Sequence, residues 1–86
     1  MTQHEILQKI KHFILREFPV NHNGSEPIEQ VDLFENEYID SLGLMKLVSF
    51  FEEEFRIDFD ESHLYDERFV NIEGQSAIIG EIIYGK

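Results

Sequence analysis

The sequence contains no cysteine, only two prolines, and seven lysine and arginine residues against 18 aspartates and glutamates. Without cysteine, the chain has neither a disulfide framework nor a thiolate metal site, and any thiol chemistry requires an imported thiol. The formal net charge of -11 creates a negative surface field, which repels nucleic acid and anionic lipid and favours partners with basic patches. Such a charge also serves plain solubility.

Long apolar runs are also missing, since none approaches the roughly 18 residues of a membrane span. The N-terminal residues, MTQHEILQKIKHF, are mixed rather than signal-like. We therefore expect a cytoplasmic protein that binds no membrane. The 86 residues suffice for one modest core, so we predict a single domain over residues 1–86, and a monomer. A hydrophobic content of 42%, with eight phenylalanines, argues against disorder.

The first 18 residues have apolar side chains at helical spacing. Thr2 and Glu5 have the spacing of a capping box, and Pro19 ends the pattern. The predicted inward face consists of Ile6, Leu7, Ile10, Phe13, Ile14 and Phe18. Residues 19–40 are rich in helix breakers and predict a long loop, a feature that is often functional in a small domain. Three apolar residues in it have the spacing of one short helical turn: Ile28, Val31 and Phe34.

The segment from Ser41 to Phe55 predicts a second helix, because no breaker follows Gly43 and the apolar residues share one arc. That arc holds Leu44, Leu47, Val48, Phe51 and Phe55. Charged residues occupy the opposite side: Lys46, Glu52, Glu53 and Arg56. Aromatic residues from Phe50 to Phe59 are typical of plain core, with a pocket that shelters an attached chain as the less favoured interpretation.

Two further helices complete the prediction. A short third helix is expected within Asp60 to Arg68, with Leu64 and Tyr65 turned inward. Asn71 is a good N-cap for a last helix that ends near Gly85. Its apolar face consists of Ile72, Ile79, Ile82 and Ile83. The fold class is therefore all-α: a small antiparallel four-helix bundle of three main helices and one short helix, with a long loop between helices 1 and 2.

Ser41 is the residue best placed for a chemical modification, because it lies between the loop and the second helix. Unpaired N–H groups and the positive end of the helix dipole stabilise a phosphodiester there by about 0.3–1 kcal/mol. Leu42 and Met45 project among the charged residues rather than inward. Apolar side chains ringed by charge are typical of a small recognition patch, although isolated surface leucines and methionines are also ordinary.

The stretch Tyr38-Ile39-Asp40-Ser41-Leu42, followed by Gly43-Leu44-Met45-Lys46-Leu47-Val48 and Phe51-Glu52-Glu53-Glu54-Phe55, resembles the acyl carrier protein family. The predicted helix order, the long first loop, the length and the acidity are similar over essentially the whole chain. The resemblance implies that a phosphopantetheinyl transferase, using coenzyme A and magnesium, attaches 4'-phosphopantetheine to Ser41, and that Asp40 helps to engage this enzyme. The arm supplies the thiol that the chain lacks.

The resemblance also implies a freestanding carrier that catalyses nothing itself. It would carry acyl or aminoacyl groups as thioesters from a loading ligase to synthase enzymes with basic docking patches, in fatty-acid-like, polyketide or other secondary-metabolite biosynthesis. Partner enzymes would grip the second helix at four positions: Leu42, Met45, Glu52 and Glu53. Charged residues at the edge of an interface, such as Glu52 and Glu53 here, mainly set the rate of encounter and the choice of partner.

Two departures leave the cargo open. Carriers of fatty-acid synthesis often have acidic residues where this chain has Gly43 and Lys46, and Leu42-Gly43 is similar to D-alanyl and peptidyl carriers of amino acids. A different class also fits the same fold and charge: an unmodified acidic helical adaptor that docks a basic partner and uses Ser41 only as a helix N-cap.

Other motifs are weaker. The segment from Asp58 to Ser62 begins like a calcium loop, but His63 stands where glycine is needed. The four histidines lack paired ligand spacing, so no metal is predicted. Asn23-Gly24-Ser25 has the pattern of a glycosylation acceptor but favours a turn. Ser41 lacks a nucleophile elbow and a nearby histidine, which argues against a catalytic serine.

Overall fold

Residues 1–85 are described by a computed structural model, and they form four α-helices and no strand. The helices are α1 (Gln3–Glu17), α2 (Ser41–Phe55), α3 (Glu61–Leu64) and α4 (Ile72–Tyr84). Two 3-10 turns, Ile28–Gln30 and Glu67–Val70, interrupt the connections. The prediction of an all-α fold is confirmed, and the radius of gyration of 12.1 Å is that of a compact domain. Across this part of the chain, no helix has the length and apolar character needed to cross a membrane.

Helix α1 begins and ends where the sequence predicts. The side chain of Thr2 accepts a hydrogen bond from the Glu5 N–H (3.1 Å), and the Glu5 carboxylate accepts one from the Thr2 N–H (2.8 Å), which completes the capping box. This second bond is also the main reason why the pKa of Glu5 lies below its usual value. Phe18 is extended at the C-terminal end, as expected for a residue before proline. The buried face consists of Ile6, Ile10, Phe13 and Ile14.

Residues 18–40 connect α1 to α2 and are held to the core by a few backbone contacts. The Leu33 N–H donates to the Val70 carbonyl (2.9 Å), and the Leu33 carbonyl accepts from the N–H groups of Tyr38 (2.9 Å) and Ile39 (3.2 Å). The predicted helical turn is smaller than expected: it covers Ile28–Gln30 only. The apolar residues beyond it, including Phe34, are held by these turn contacts instead of by a helix.

Three of the contacts between α1 and α2 show how the two helices are aligned. Along these contacts the residue numbers rise in α1 while they fall in α2. These contacts are Lys9 with Glu54 (3.0 Å), Phe13 with Phe50 (stacked rings, centroids 3.9 Å apart), and Glu17 with Lys46 (2.7 Å). The aromatic contact lies between the two ion pairs, so an ion pair flanks the apolar contact between the helices on each side.

The short third helix predicted within residues 60–68 is present as α3, but one of its two predicted inward residues is wrong. The helix has four residues, and a separate 3-10 turn follows Asp66. The break has a local cause: the Asp66 carboxylate accepts the Arg68 N–H (2.9 Å) and starts a new turn, which competes with continuation of the helix. Leu64 packs against the core as predicted, but Tyr65 does not turn inward, because 80% of its surface is exposed.

Helix α4 begins and ends as predicted. Asn71 accepts the Gly74 N–H at 2.7 Å, and Gly85 closes the helix in the left-handed conformation, with φ 73°. A Cβ atom at Gly74 would overlap the backbone carbonyl oxygen of Arg68, and one at Gly80 would overlap the Gln3 side chain. These glycines weaken the isolated helix but allow α4 to approach its neighbours closely.

The core is an aromatic cluster around Phe51, which is fully buried. Its ring centroid lies 5.3 Å from that of Phe59, 6.3 Å from that of Phe69 and 6.4 Å from that of Phe55. Phe51, Phe55 and Phe59 are therefore core residues, in agreement with the interpretation that the sequence favours. Phe50 packs against this core only partly buried, and it lines a surface cleft together with Phe13.

Candidate attachment site

The site begins with Asp40, which ends the loop and caps α2. Its side chain accepts the Gly43 N–H (2.8 Å), and its backbone carbonyl accepts the Leu44 N–H (2.8 Å). Ser41 is therefore the first residue inside α2 rather than its cap. The adaptor hypothesis assigned the capping role to Ser41, and that assignment is wrong because Asp40 occupies the cap.

Ser41 is exposed at the start of a helix of 15 residues. The first turn of such a helix presents N–H groups without intrahelical acceptors, together with the positive end of the helix dipole. One of those N–H groups, that of Gly43, is already bound by Asp40. An ester oxygen at Ser41 would lie in a positive backbone field, beside the carboxylate of Asp40.

The residues before Ser41 are anchored, so the serine is presented from a fixed base. Ile39 is buried, with 3% of its surface exposed, and its N–H is bound by Leu33. The hydroxyl of Tyr38 donates to the carbonyl of Asn21 (3.1 Å), which ties the end of the loop to its beginning. An inward Ile39 turns the backbone so that Asp40 and Ser41 face outward.

The predicted docking residues lie on the same helix as Ser41. Leu42 and Met45 are among the most exposed apolar side chains within residues 1–85, at 78% and 68% of their surfaces. Glu52 and Glu53 are exposed too, roughly 14 Å farther along the axis than Leu42 and Met45. Glu52 has a structural contact that the sequence did not reveal, since its carboxylate accepts the N–H of Phe59 (3.1 Å), which lies beyond the end of α2.

Lys46 is the cation nearest to Ser41 along α2, and it is not free. It bonds to Glu17 at 2.7 Å, and Arg16 bonds to the same carboxylate at 2.9 Å. These two donors, Lys46 first, hold the pKa of Glu17 below its usual value. The positive charge of Lys46 is therefore partly neutralised, and the exposed face of α2 keeps a net negative field.

An apolar cleft lies beside the site, between α2 and the residues around α3. It has a volume of about 230 Å³ and is lined by Phe34, Leu44, Leu64, Asp66, Phe69 and Val70. The aromatic residues that the sequence offered as pocket walls, Phe50 to Phe59, do not line it. No group of three or more potential metal ligands occurs in the part of the chain that the structure describes.

No model of a known protein family matches this chain. A search of curated proteins finds no match either. The resemblance to the acyl carrier protein family therefore depends on the residues around Ser41 and on their arrangement.

Sequence reasoning missed one contact at the site, that of Phe18 with Gly43. A Cβ atom at position 43 would lie 2.8 Å from the ring of Phe18. The only signal in the sequence was a glycine in the first turn of a helix, where it has no capping role and lowers helix propensity.

Proposed function

We propose that this chain is a freestanding carrier protein that holds acyl or aminoacyl groups as thioesters on 4'-phosphopantetheine esterified to Ser41. The observation that carries the proposal is the placement of Ser41: an exposed hydroxyl, first in a long helix and directly after an aspartate cap. A transferase needs to reach this hydroxyl, and the positive helix end stabilises the phosphodiester that forms.

The attachment step breaks the phosphoanhydride bond of coenzyme A and forms a phosphate ester on Ser41. The Ser41 oxygen attacks the phosphorus of coenzyme A that bears the pantetheine arm, the bond from that phosphorus to the departing nucleotide phosphate breaks, and the serine proton leaves to a base of the transferase. Magnesium, held with the nucleotide by the transferase, neutralises the phosphate charge. Asp40 stands next to the reacting oxygen and is the residue that we assign to transferase recognition.

The remaining features support the same proposal. We infer an antiparallel four-helix bundle from the opposed numbering of the α1–α2 contacts, with the long loop leading into the attachment site. Leu42 and Met45 provide an apolar contact for partner enzymes, while Glu52 and Glu53 attract their basic patches. A loading ligase and a synthase are the partners we propose, in the cytoplasm and with the carrier as a monomer.

The test is a mass measurement on the intact protein. Incubation with coenzyme A, magnesium and a transferase of broad specificity should add one phosphopantetheinyl group, and Ser41→Ala should abolish the addition. Ser49→Ala is the matched control, because Ser49 is an exposed serine on the same helix and should be dispensable. An unmodified protein in the presence of an active transferase would support the adaptor class instead.

A further inference from the structure

The ring of Phe18 lies directly against the first turn of α2. Gly43 is the third residue of that helix, and a Cβ atom built there would lie 2.8 Å from Cε1 of Phe18 and 3.1 Å from Cγ2 of Ile39. Carbon atoms in good contact are about 3.5–4.0 Å apart. The residue that follows α1 therefore lies so close to the first turn of α2 that a side chain at position 43 would displace its neighbours, whereas glycine does not.

The position of the Phe18 ring is itself set by its neighbours. One side meets Phe13 edge to face, with centroids 6.1 Å apart and an angle of 75°. The Nζ atom of Lys46 lies 5.9 Å from the centre of the Phe18 ring and is bonded to Glu17. Two contacts, one with Phe13 of α1 and one with Lys46 of α2, thus hold the ring beside the backbone of Gly43.

We propose that Phe18 is a positioning residue for Ser41, an inference that rests on the proposed carrier function. Its ring, seated on Gly43, holds the first turn of α2 in the orientation that the transferase requires. A first turn has few intrahelical hydrogen bonds and frays readily, so packing from outside the helix adds to the order that the Asp40 cap supplies. A displacement of about 1 Å at a reacting group lowers a rate by as much as about 100-fold.

The first test is amide hydrogen exchange, which needs no transferase. Phe18→Ala should accelerate exchange at Gly43 and Leu44, whose N–H groups bond to Asp40, relative to exchange at Phe51 in the core. Leu15→Ala is the control, since it shortens an exposed apolar side chain near the same end of α1 and should leave that ratio unchanged. A uniform acceleration at all three amides would indicate general destabilisation and overturn the proposal.

The second test is the rate of modification. Phe18→Ala and Gly43→Ala should each lower kcat/KM for transfer to Ser41, by about tenfold, whereas Phe18→Tyr, which keeps the ring, should retain the wild-type rate. Because both alanine substitutions act on one contact, Gly43→Ala should have a smaller effect in the Phe18→Ala background. Thermal unfolding of each variant establishes that it is folded at the assay temperature.

The outcomes separate the two proposals. If wild-type protein is modified and Phe18→Ala is modified equally fast, the positioning role is wrong and the carrier function stands. If Phe18→Tyr is as slow as Phe18→Ala, the ring contact is likewise not the cause. If wild-type protein is never modified, the carrier proposal itself fails.

Discussion

At the scale of single residues, Asp40 combines two roles that substitution can separate. Its carboxylate bonds to the Gly43 N–H at 2.8 Å and so stabilises the start of α2. Its charge stands next to Ser41, where we propose that the transferase recognises it. A cap needs only an acceptor oxygen, while recognition by a basic enzyme surface needs the charge.

We therefore predict different outcomes for two variants of Asp40. Asp40→Ala should lower the free energy of unfolding by about 1 kcal/mol, because the cap is lost. Asp40→Asn should keep most of that stability, since its amide oxygen can still accept from Gly43, but should reduce kcat/KM for the transferase. Urea unfolding and the mass assay measure the two quantities. A stable Asp40→Asn that is modified at the wild-type rate would leave the residue with the capping role alone.

At the scale of elements, Arg68 joins the 3-10 turn Glu67–Val70 to α4. Its guanidinium donates to Asp66 (2.8 Å) and to both carboxylate oxygens of Glu81 (2.6 and 3.0 Å). These hydrogen bonds lower the pKa of Asp66 to about 2 and hold the pKa of Glu81 below its usual value. The network connects the short turn to a main helix through exposed side chains, which solvent screens in part.

This network predicts a specific pH dependence. Both carboxyl groups have a lower pKa in the folded chain than the ordinary values of about 4 in the unfolded chain. Their stabilising contribution is therefore complete above about pH 5 and is lost as the pH falls towards about 2. Arg68→Gln should lower the Tm at neutral pH, and its difference from wild type should shrink over that range.

The matched control for the arginine is Arg56→Gln, at the exposed end of α2. Its effect on the Tm should not follow the titration of Asp66 and Glu81. Thermal unfolding followed by circular dichroism at several pH values measures both variants. An Arg68→Gln effect that stays constant from neutral pH to about pH 2 would contradict the assigned role of the network.

At the scale of the whole molecule, charge is distributed unevenly. Residues 1–18 contain three lysine and arginine side chains and two carboxylates, whereas residues 19–86 contain four and sixteen. Several of the cations, such as Lys9 and Lys46, already bond to carboxylates. Within residues 1–85, carboxylates such as those of Glu52 and Glu53 on α2 have no salt-bridge partner, and their mutual repulsion opposes the compact state.

Salt should therefore stabilise this protein. Raising the ionic strength from about 0.01 M to about 0.15 M shortens the Debye length from about 30 Å to about 8 Å, which screens repulsion over the whole surface more than it weakens the short ion pairs. We expect the Tm to rise. Glu53→Gln, which removes one exposed carboxylate, should have a smaller salt response, and a Tm that falls with added salt would contradict the predominance of repulsion.

The sequence predicted elements best where the signal is local. The capping box at Thr2, the Asn71 cap and the closing Gly85 all act within a few residues, so α1 and α4 have the predicted limits. The inward placement of Tyr65 was wrong because the Asp66 side chain bonds to the neighbouring backbone and ends the helical pattern. Helical periodicity does not contain that competing bond.

Local sequence patterns did not predict the contacts between residues that are distant along the chain. Gln75 is fully buried, and its amide donates to the Phe69 carbonyl (2.7 Å), a group that is available only because the chain turns there. The close approaches at Gly43 and Gly74 likewise depend on where other segments arrive. From the sequence alone, a glycine in a helix only indicates lower helix stability. Its role in a close contact becomes visible when the neighbouring segment is known.

The sequence by itself determined that this chain folds as an acidic helical domain and that α2 starts at Ser41, because composition, periodicity and caps are properties of neighbouring residues. The tertiary structure decided that Ile39 is anchored inward, that Ser41 faces outward, and that Phe18 rests on Gly43. The contact of Phe18 with Gly43 depends on where α1 approaches α2, and the anchoring of Ile39 depends on the turn at Leu33. Neither arrangement is specified by a helical pattern in the sequence, because each needs segments that come together only in the folded chain.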